Sequence, residues 1–289
     1  MIKKIKYKTI VISDLHLGTT NSKAKEVVRF LKRHSCETLI LNGDIIDGWH
    51  LRKNGKWKKK HTRFFKRIVK MMETYKTQVY YLRGNHDDFI DHLIPFQIGR
   101  MYIQKDMIYE SYGKKYYICH GDIFDSISTN FVWLAKLGDI GYTFLLWLNK
   151  IYNIRRMRKG LPYFSLSQVI KQKVKTAVSY ISNFEKELAE LAKSKKCSAV
   201  ICGHIHHPSI QEYNGVTYMN SGDWVESLTA LVEDYMGEWK IIYYTDMVQK
   251  DAELSNKRRK NLNSALVLNE SFPITSRKPS GVEQMNLTS

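Results

Sequence analysis

The first half of the chain alternates short apolar runs with longer amphipathic stretches, and this alternation constrains the fold more than any other feature. Tyr7–Ile12, Thr38–Leu41 and Val79–Leu82 are apolar runs of strand length, and Ser22–His34 and Lys60–Tyr75 lie between them with helical periodicity. A βαβαβ pattern of this kind predicts a mostly parallel sheet that is covered on both faces.

The pattern changes after Gly121. Two further short strands are predicted before it, and the segment at about 127–192 then has helical character throughout. Strands return afterwards, and the last four are spaced as in an antiparallel meander. We therefore expect one domain at 1–245 with a helical insert at about 127–192, and a polar tail at 246–289 without regular structure. The later strands are predicted at Met107–Glu110, Tyr116–Cys119, Ser198–Cys202, Ile210–Tyr213, Thr217–Asn220, Leu228–Glu233 and Glu238–Tyr244.

The net charge of +18 comes from two acid-free stretches. Residues 52–70 contain ten Lys or Arg, and residues 150–175 contain eight. The longest apolar stretch, Tyr142–Leu148, is far shorter than the roughly 20 residues of a membrane-spanning helix. The apolar run after the Lys-rich start is also too short for a secretory signal, so we expect the protein to stay inside the cell.

Side chains that can bind a metal follow five of the predicted strands. The carboxyl ends of strands in an open α/β sheet meet at one crevice, so these side chains are expected to converge. A set of oxygens and imidazoles without thiolate suits Mn, Fe or Zn, and seven ligands are enough for two ions that share a carboxylate. The candidate metal ligands are Asp14, His16, Asp44, Asn85, His120, His204 and His206.

The order of these motifs resembles the calcineurin-like metallophosphoesterase superfamily over about residues 7–245. The resemblance implies an α/β fold, a two-sheet β sandwich flanked by helices, with a helical cap insert. It also implies a metal-dependent phosphoesterase. The motifs that carry it are Asp14-x-His16, Gly43-Asp44-x-x-Asp47, Gly84-Asn85-His86-Asp87, His120 and Gly203-His204-x-His206.

The same resemblance implies a role for each residue of the set. Asp44 would bridge two ions, and His86 would be a histidine outside the ligand set that stabilises or protonates the leaving group. Asp47 would orient His86, since a general acid works best with a fixed tautomer. The first ion would be held by Asp14, His16 and His206, and the second by Asn85, His120 and His204.

Within the superfamily, the helical insert and the run Gly43–Trp49 resemble the UDP-2,3-diacylglucosamine diphosphatase branch of lipid A biosynthesis. This implies hydrolysis of a nucleotide-linked lipid by a metal-bound hydroxide, in a cytoplasmic enzyme peripherally associated with the inner face of the membrane. The branch has Arg where this chain has His86, and an acid longer than Asp47. A related diphosphatase or phosphodiesterase therefore stays open. Gly48 stands where many protein phosphatases carry Arg, which disfavours that class.

The start of the insert is apolar and aromatic, and arginines follow it. Trp147 and Leu148, with Arg155 and Arg156, are candidate substrate-binding residues in an acyl groove or a contact with anionic lipid. The alternative is a helix pair that packs on itself and on the body. The basic stretch around Trp57–Lys60 fits a membrane surface, a phosphate-rich substrate, a nucleic acid or an ordinary solvated face.

Three functions are compatible with these features. The favoured one is a peripheral membrane hydrolase that uses two divalent ions, manganese with iron or zinc as alternatives, on a nucleotide-linked or phosphorylated lipid. The second is a nuclease or cyclic-nucleotide phosphodiesterase with the basic stretches as a nucleic-acid track. The third, a non-catalytic scaffold of the same fold, is disfavoured because every ligand position is filled.

Overall fold

The computed structural model describes residues 4–124, 151–160 and 166–254, with the backbone alone at residue 124 and residues 166–178. Its contacts divide the chain into two units, Met1–Tyr244 and Thr245–Ser289. Among the described helices, none combines the length and the apolar character that a bilayer span requires. The α/β fold with two sheets and flanking helices is confirmed.

The secondary structure follows the apolar pattern closely in the first half of the chain. Besides helical stretches at 151–157 and 245–254, the described residues form α1 (Ala24–Arg33), α2 (Gly48–Lys53), α3 (Lys59–Tyr75) and α4 (Leu166–Ser194), with short 3-10 helices at Asn85–Leu93 and Asp122–Phe124. The strands are β1 (Ile5–Ile12), β2 (His34–Asn42), β3 (Gln78–Leu82), β4 (Phe96–Ile98), β5 (Met101–Gln104), β6 (Asp106–Ser111), β7 (Lys114–Cys119), β8 (Ala199–Cys202), β9 (Ser209–Tyr213), β10 (Val216–Asn220), β11 (Thr229–Glu233) and β12 (Trp239–Tyr243).

Two mixed sheets form the body of the first unit. The first has the order β12-β11-β1-β2-β3-β5-β4, and its strands β1, β2, β3 and β5 are parallel. The second has the order β6-β7-β8-β10-β9, and its strands β7, β8 and β10 are parallel. Parallel strands place their carboxyl ends at the same edge of each sheet, which positions the loops that carry the candidate ligands.

The core lies on both faces of the sheets. Val11 and Ile40 of the first sheet pack against Ile118 and Ile201 of the second, which makes the sandwich interior. Helices α1 and α3 contact β2 of the first sheet. The carboxyl-terminal parts of β1 and β2 and all of β8 are buried on both faces, as expected for parallel strands covered by helices.

The prediction of an antiparallel meander for the last four strands is wrong. β9 pairs with β10 in the second sheet, and β11 pairs with β12 in the first, so the four strands form two separate hairpins. The spacing of the strands could not show this, because the turn after β10 at residues 221–228 carries the chain from one sheet to the other. The short β4–β5 hairpin and α2 were not predicted either.

Two of the predicted boundaries need correction. Ile181, Phe184 and Leu188 of α4 are buried against the second sheet, so this part of the predicted insert belongs to the body of the domain. Residues 245–254 are helical, whereas an irregular tail was expected from residue 246. Good helix formers such as Met, Gln, Ala and Leu are frequent there. Residues 255–289 and the apolar start of the insert lie outside the described residues.

Candidate metal centre

The candidate ligands are carried by the loops that follow β1, β2, β3, β7 and β8. The structure brings six of them together with His86 and Asp47. The seventh, Asn85, lies between Gly84, where an added Cβ would be 2.3 Å from Asp44 Oδ1, and His86, whose backbone N–H donates to the same oxygen. Convergence at the carboxyl ends of the strands is what the sequence pattern predicted.

Asp44 lies at the centre of this cluster and is buried. Three imidazoles turn Nε2 toward its Oδ2 atom: His16 at 3.7 Å, His86 at 3.9 Å and His120 at 3.4 Å. The other oxygen, Oδ1, accepts a hydrogen bond from the backbone N–H of His86 at 2.8 Å. Asp44 therefore has one oxygen held by the backbone and one oxygen that a cation could share with imidazole nitrogens.

The opposite nitrogen of each imidazole lies near an oxygen that can accept a hydrogen bond, which favours the proton on Nδ1. His120 Nδ1 lies 3.0 Å from the backbone carbonyl of Asn42, which can only accept a hydrogen bond. Asp47 faces the other two rings, with Oδ1 3.2 Å from Nδ1 of His86 and Oδ2 3.4 Å from Nδ1 of His16. With the proton on Nδ1, each Nε2 keeps the lone pair that a metal needs.

A second group of contacts surrounds the fully buried Asp14. Its Oδ1 atom lies 3.2 Å from His206 Nε2, and its Oδ2 atom accepts a hydrogen bond from the backbone N–H of His204 at 3.1 Å. Ligand atoms of Asp14, His16 and His206 lie within 4.8 Å of one another, as do those of Asp14, Asp44 and His120. The groups around Asp14 and Asp44 therefore overlap.

The backbone of the ligand loops is strained. Asp14, His16, Asp44, His204 and His206 all have φ between 44° and 68°, in the left-handed region. Each such residue costs about 1–3 kcal/mol, and clusters of them are typical of functional sites. Gly84 is needed for a different reason, because a Cβ there would lie 2.3 Å from Asp44 Oδ1.

Burial and mutual charge shift the pKa values of the cluster in opposite directions. Burial alone would raise the pKa of Asp44, but the neighbouring imidazoles outweigh it and hold this pKa far below its usual range. Burial opposes charge on His120 and His206 as well, yet Asp44 and Asp14 raise their pKa values to about 10 and about 9. A cation that binds here must therefore displace protons.

Asp87 is a buried carboxyl whose role the sequence did not reveal. Its oxygens accept hydrogen bonds from the backbone N–H groups of Ile45 at 3.1 Å and Ile46 at 2.9 Å, and from the Tyr81 hydroxyl at 2.8 Å. Burial and the charge of Asp44 raise the pKa of Asp87 to about 7. It fixes the loop that begins at Asp44, and its position directly after His86 was the available signal.

Trp49 also belongs to the site, and sequence reasoning gave it no role. Its ring lies 4.4 Å from the His86 imidazole at an interplanar angle of 36°. Its indole N–H donates to Asp88 Oδ2 at 3.0 Å, and Arg52 holds the same carboxylate. With 43% of its surface exposed, Trp49 forms an aromatic wall beside His86.

The predicted substrate-binding residues are not placed in this cluster. Trp147 and Leu148 lie outside the described residues. Arg155 is exposed on the helical stretch at 151–157, and Arg156 is half-buried with its guanidinium 5.7 Å from the Tyr152 ring. Their assignment to substrate stays a prediction.

A match to a known protein family agrees with this geometry. A family model described as Calcineurin-like phosphoesterase matches residues 7–208. The chain belongs to this family. Metallophosphoesterases use divalent metals, so the family and its hydrolase relatives make this chain a metal-dependent phosphoesterase.

Curated relatives of this phosphoesterase are named UDP-2,3-diacylglucosamine hydrolase. The protein from Neisseria gonorrhoeae is 24% identical over 230 residues, which cover 74% of this chain and 88% of the relative. That from Histophilus somni is 23% identical over 233 residues, which cover 78% and 95%. At this identity the names describe the relatives and do not assign a substrate to this chain.

Solved structures also align with the chain along most of its length. An archaeal phosphodiesterase has a TM-score of 0.40 at 14% identity, covering 81% of this chain and 98% of that one. The E. coli phosphoesterase Yfce has a TM-score of 0.37 at 12% identity, covering 82% and 98%. Scores this low carry no functional meaning.

The residues present fit the metal that the family implies. Asn85 Oδ1 and His120 Nε2 are buried and make no hydrogen bond. Leaving such a group unsatisfied costs about 1–3 kcal/mol, and a bound cation would remove that cost. The donors are carboxylate, amide and imidazole, a set that suits Mn, Fe or Zn.

Proposed function

We propose that this protein is a dinuclear metal hydrolase that cleaves the diphosphate of a nucleotide-linked lipid, a substrate class supported by relatives named UDP-2,3-diacylglucosamine hydrolase. One observation supports the proposed pair of metal ions most directly. Asp44 Oδ2 faces three imidazole Nε2 atoms, and the ligand group around it overlaps the group around Asp14. A shared carboxylate between two ligand groups is what two neighbouring cations require.

We divide the ligand set between two ions as the resemblance to the family implies. Asp14, His16 and His206 would hold the first, and Asn85, His120 and His204 the second, with Asp44 between them. When bound, such cations lower the pKa of a water and neutralise charge on a phosphoryl group. Manganese is the proposed metal, with iron or zinc as alternatives.

His86 is the proposed acid or electrostatic stabiliser for the leaving group. Asp47 lies 3.2 Å from its Nδ1 atom and holds the ring, while Nε2 is turned toward the centre. Burial opposes charge on this ring, but the contact with Asp47 and the charge of Asp44 raise its pKa. A protonated His86 could therefore donate to a leaving oxygen. The same distance from Asp44 also permits metal ligation, so the test below measures metal content.

The lipid part of the proposal is supported by the names of the relatives and by the apolar insert. Trp147 and Leu148 would bind an acyl chain, and Arg155 and Arg156 would bind phosphate. The exposed Trp49 wall beside His86 could contact the sugar or the base. A diacylated substrate resides in a membrane, so we propose action at the inner face of the bilayer, with the enzyme peripherally bound on the cytoplasmic side.

The test is hydrolysis of UDP-2,3-diacylglucosamine in detergent with Mn²⁺, followed by mass spectrometry. We expect UMP and an acylated sugar phosphate. His86→Ala should lower kcat by roughly 10²- to 10⁴-fold and keep its bound manganese. Full turnover in this variant, or loss of its metal, would remove His86 from the acid role.

Two comparisons separate the parts of the proposal. Bis(p-nitrophenyl) phosphate reports the metal chemistry alone, and turnover of this probe without turnover of the UDP lipid would contradict the substrate but keep the hydrolase. Trp147→Ser with Leu148→Ser should raise KM for the acylated substrate and leave the small diester unaffected. An equal loss on both substrates would contradict the acyl groove.

A further inference from the structure

We propose that the outer surface of α1 and α3 is a docking face for an anionic phospholipid bilayer. This surface, here the basic face, is defined by Lys25 and Lys32 of α1 and by Lys59, Arg63, Lys66 and Lys70 of α3. All six side chains are exposed. The proposal concerns a surface apart from the metal centre, and it goes beyond the proposed reaction.

The cations of α3 lie on one side of the helix. Their spacing of four, three and four residues returns to the same side at each turn. A cavity of about 510 Å³ lies where the two helices begin, and Lys25, Lys59 and Arg63 line it. A second cavity of about 530 Å³ follows, lined by Lys32, Arg63, Lys66 and Lys70. Because Arg63 lines both, the basic face is continuous.

The N-terminal end of α3 carries positive charge, which is unfavourable for the stability of the helix. Lys58, Lys59 and Lys60 occupy its N-terminal end, and its first turn contains no acid. The positive end of the helix dipole disfavours lysine there and favours an anion. Burial and the neighbouring lysines also lower the pKa of Lys60. An external anion at this end would offset the repulsion.

The first cavity also contains a buried hydroxyl that makes no hydrogen bond. Ser22 lines it and is 2% exposed, and its hydroxyl is buried with no hydrogen bond. The Lys60 ammonium donates to the Ser22 backbone carbonyl at 2.6 Å. A phosphate oxygen in this cavity could accept from the Ser22 hydroxyl and face the N-terminal end of each helix. Glu26 is the acidic residue of the lining.

The aromatic residues beside the basic face favour a bilayer over a nucleic acid. Trp57 stacks on Phe65 at 6.1 Å, and the Tyr75 ring is covered by the Lys4 ammonium at 3.7 Å. One face of each ring is already covered, so each ring leaves less surface on which a base could stack. Exposed Trp57 next to lysines is typical of a membrane interface, and lysine-rich surfaces attract anionic lipid.

The basic face also lies next to the metal centre along the chain. The loop after β1 carries Asp14 and His16 and then reaches Ser22 in the first cavity. This loop therefore joins the first cavity of the basic face to the candidate ligands.

The test is flotation with vesicles of phosphatidylcholine containing 30% phosphatidylglycerol, in low salt. The wild-type protein should float with these vesicles and not with pure phosphatidylcholine. The triple variant Lys59→Gln, Arg63→Gln, Lys66→Gln should bind roughly 50- to 100-fold more weakly, because each basic residue contributes several-fold near an anionic surface. The matched control Lys105→Gln, Lys114→Gln, Lys193→Gln removes the same charge from exposed positions elsewhere and should bind like wild type.

Equal weakening in both triple variants would overturn the proposal, as would equal binding to neutral vesicles. A 20-base-pair DNA duplex that binds the wild type with the same dependence on the three residues, while the vesicles do not bind, would assign the face to nucleic acid instead. Turnover of bis(p-nitrophenyl) phosphate by the triple variant confirms that it is folded. Flotation without turnover of the UDP lipid would keep the docking face and contradict only the proposed substrate.

Discussion

Asp44 and Asp47 lie on opposite sides of the same two imidazoles. Asp44 faces Nε2 of His16 and His86, and Asp47 faces Nδ1 of the same rings. Each ring therefore has a carboxylate near both of its nitrogens. Asp47 also accepts a hydrogen bond from the His50 N–H at 2.7 Å and so begins α2. The Asp47 carboxylate thus lies beside both imidazoles and also caps the N-terminus of α2.

Asp47→Asn tests this coupling at the residue level. The amide oxygen can still cap α2, but the negative charge that orients both rings is lost. We expect kcat on bis(p-nitrophenyl) phosphate to fall about 10- to 100-fold, with a smaller change in thermal stability. Asp246→Asn, an exposed position, is the control. Unchanged kcat in Asp47→Asn would show that His86 needs no orienting carboxylate.

Gly84→Ala tests how closely Asp44 is packed. A Cβ at Gly84 would lie 2.3 Å from Asp44 Oδ1 and 2.4 Å from Asp44 N, so the Asp44 carboxylate or its loop must move. We expect this variant to lose most of its bound manganese, as measured by metal analysis after gel filtration. Gly99→Ala is the control. Its added Cβ would have no neighbouring atom within 4 Å, and the φ of 57° at this position costs about 1 kcal/mol of stability. Equal metal content in the two variants would contradict the packing argument.

At the level of elements, helices hold the ligand loops from two sides. Phe184 of α4 is buried, and its ring lies 6.2 Å from the His204 imidazole. A Cβ added at Gly121, directly after His120, would lie 2.9 Å from this ring. The body part of α4 therefore supports two of the histidines, while α2 and Asp47 support the other side.

The N-terminal end of α3 gives a prediction for pH. His61 is buried, its Nδ1 accepts from the Lys58 N–H at 3.3 Å, and its Nε2 makes no hydrogen bond. Burial and the charges of Lys60 and Lys58 lower its pKa to about 4, from 6.5. Between pH 6.5 and pH 4 the unfolded chain therefore binds a proton at His61 and the folded chain does not. The free energy of unfolding falls as the pH falls through this range.

His61→Gln should flatten this dependence. Glutamine can accept the same capping hydrogen bond but does not titrate. Between pH 7.5 and pH 5.5, we expect the wild type to lose about 1 kcal/mol more of its free energy of unfolding than the variant, as measured by urea denaturation. Parallel losses in the two proteins would show that His61 protonates without cost in the folded state.

At the scale of the whole molecule, the strand ends of the first half could be predicted from sequence because apolar runs mark them directly. Each candidate ligand follows its strand within a few residues, so the site could be predicted with the strands. The pairing of β11 with β1 rather than β10 could not, since residue spacing does not show which sheet edge is open. Trp49 and Asp87 were missed for a related reason: their roles depend on contacts with other loops.

The metal centre and its substrate differ in how far the sequence predicts them. Side chains that can bind a metal have a chemistry that their type reveals, so candidate ligands could be predicted one by one. Apolar and basic side chains have many uses, and Arg155 and Arg156 could not be assigned from their pattern. The basic face needed the structure, because Lys25 and Lys32 are distant in sequence from Lys59–Lys70.

The most direct test of the central claim is the number of manganese ions bound per chain, measured by equilibrium dialysis and elemental analysis. The wild type should bind two, because Asp44 is shared between two ligand groups. Asp44→Asn should bind fewer than one and lose turnover of bis(p-nitrophenyl) phosphate. A wild type that saturates at one ion, or an Asp44→Asn variant that still binds two, would contradict the dinuclear centre.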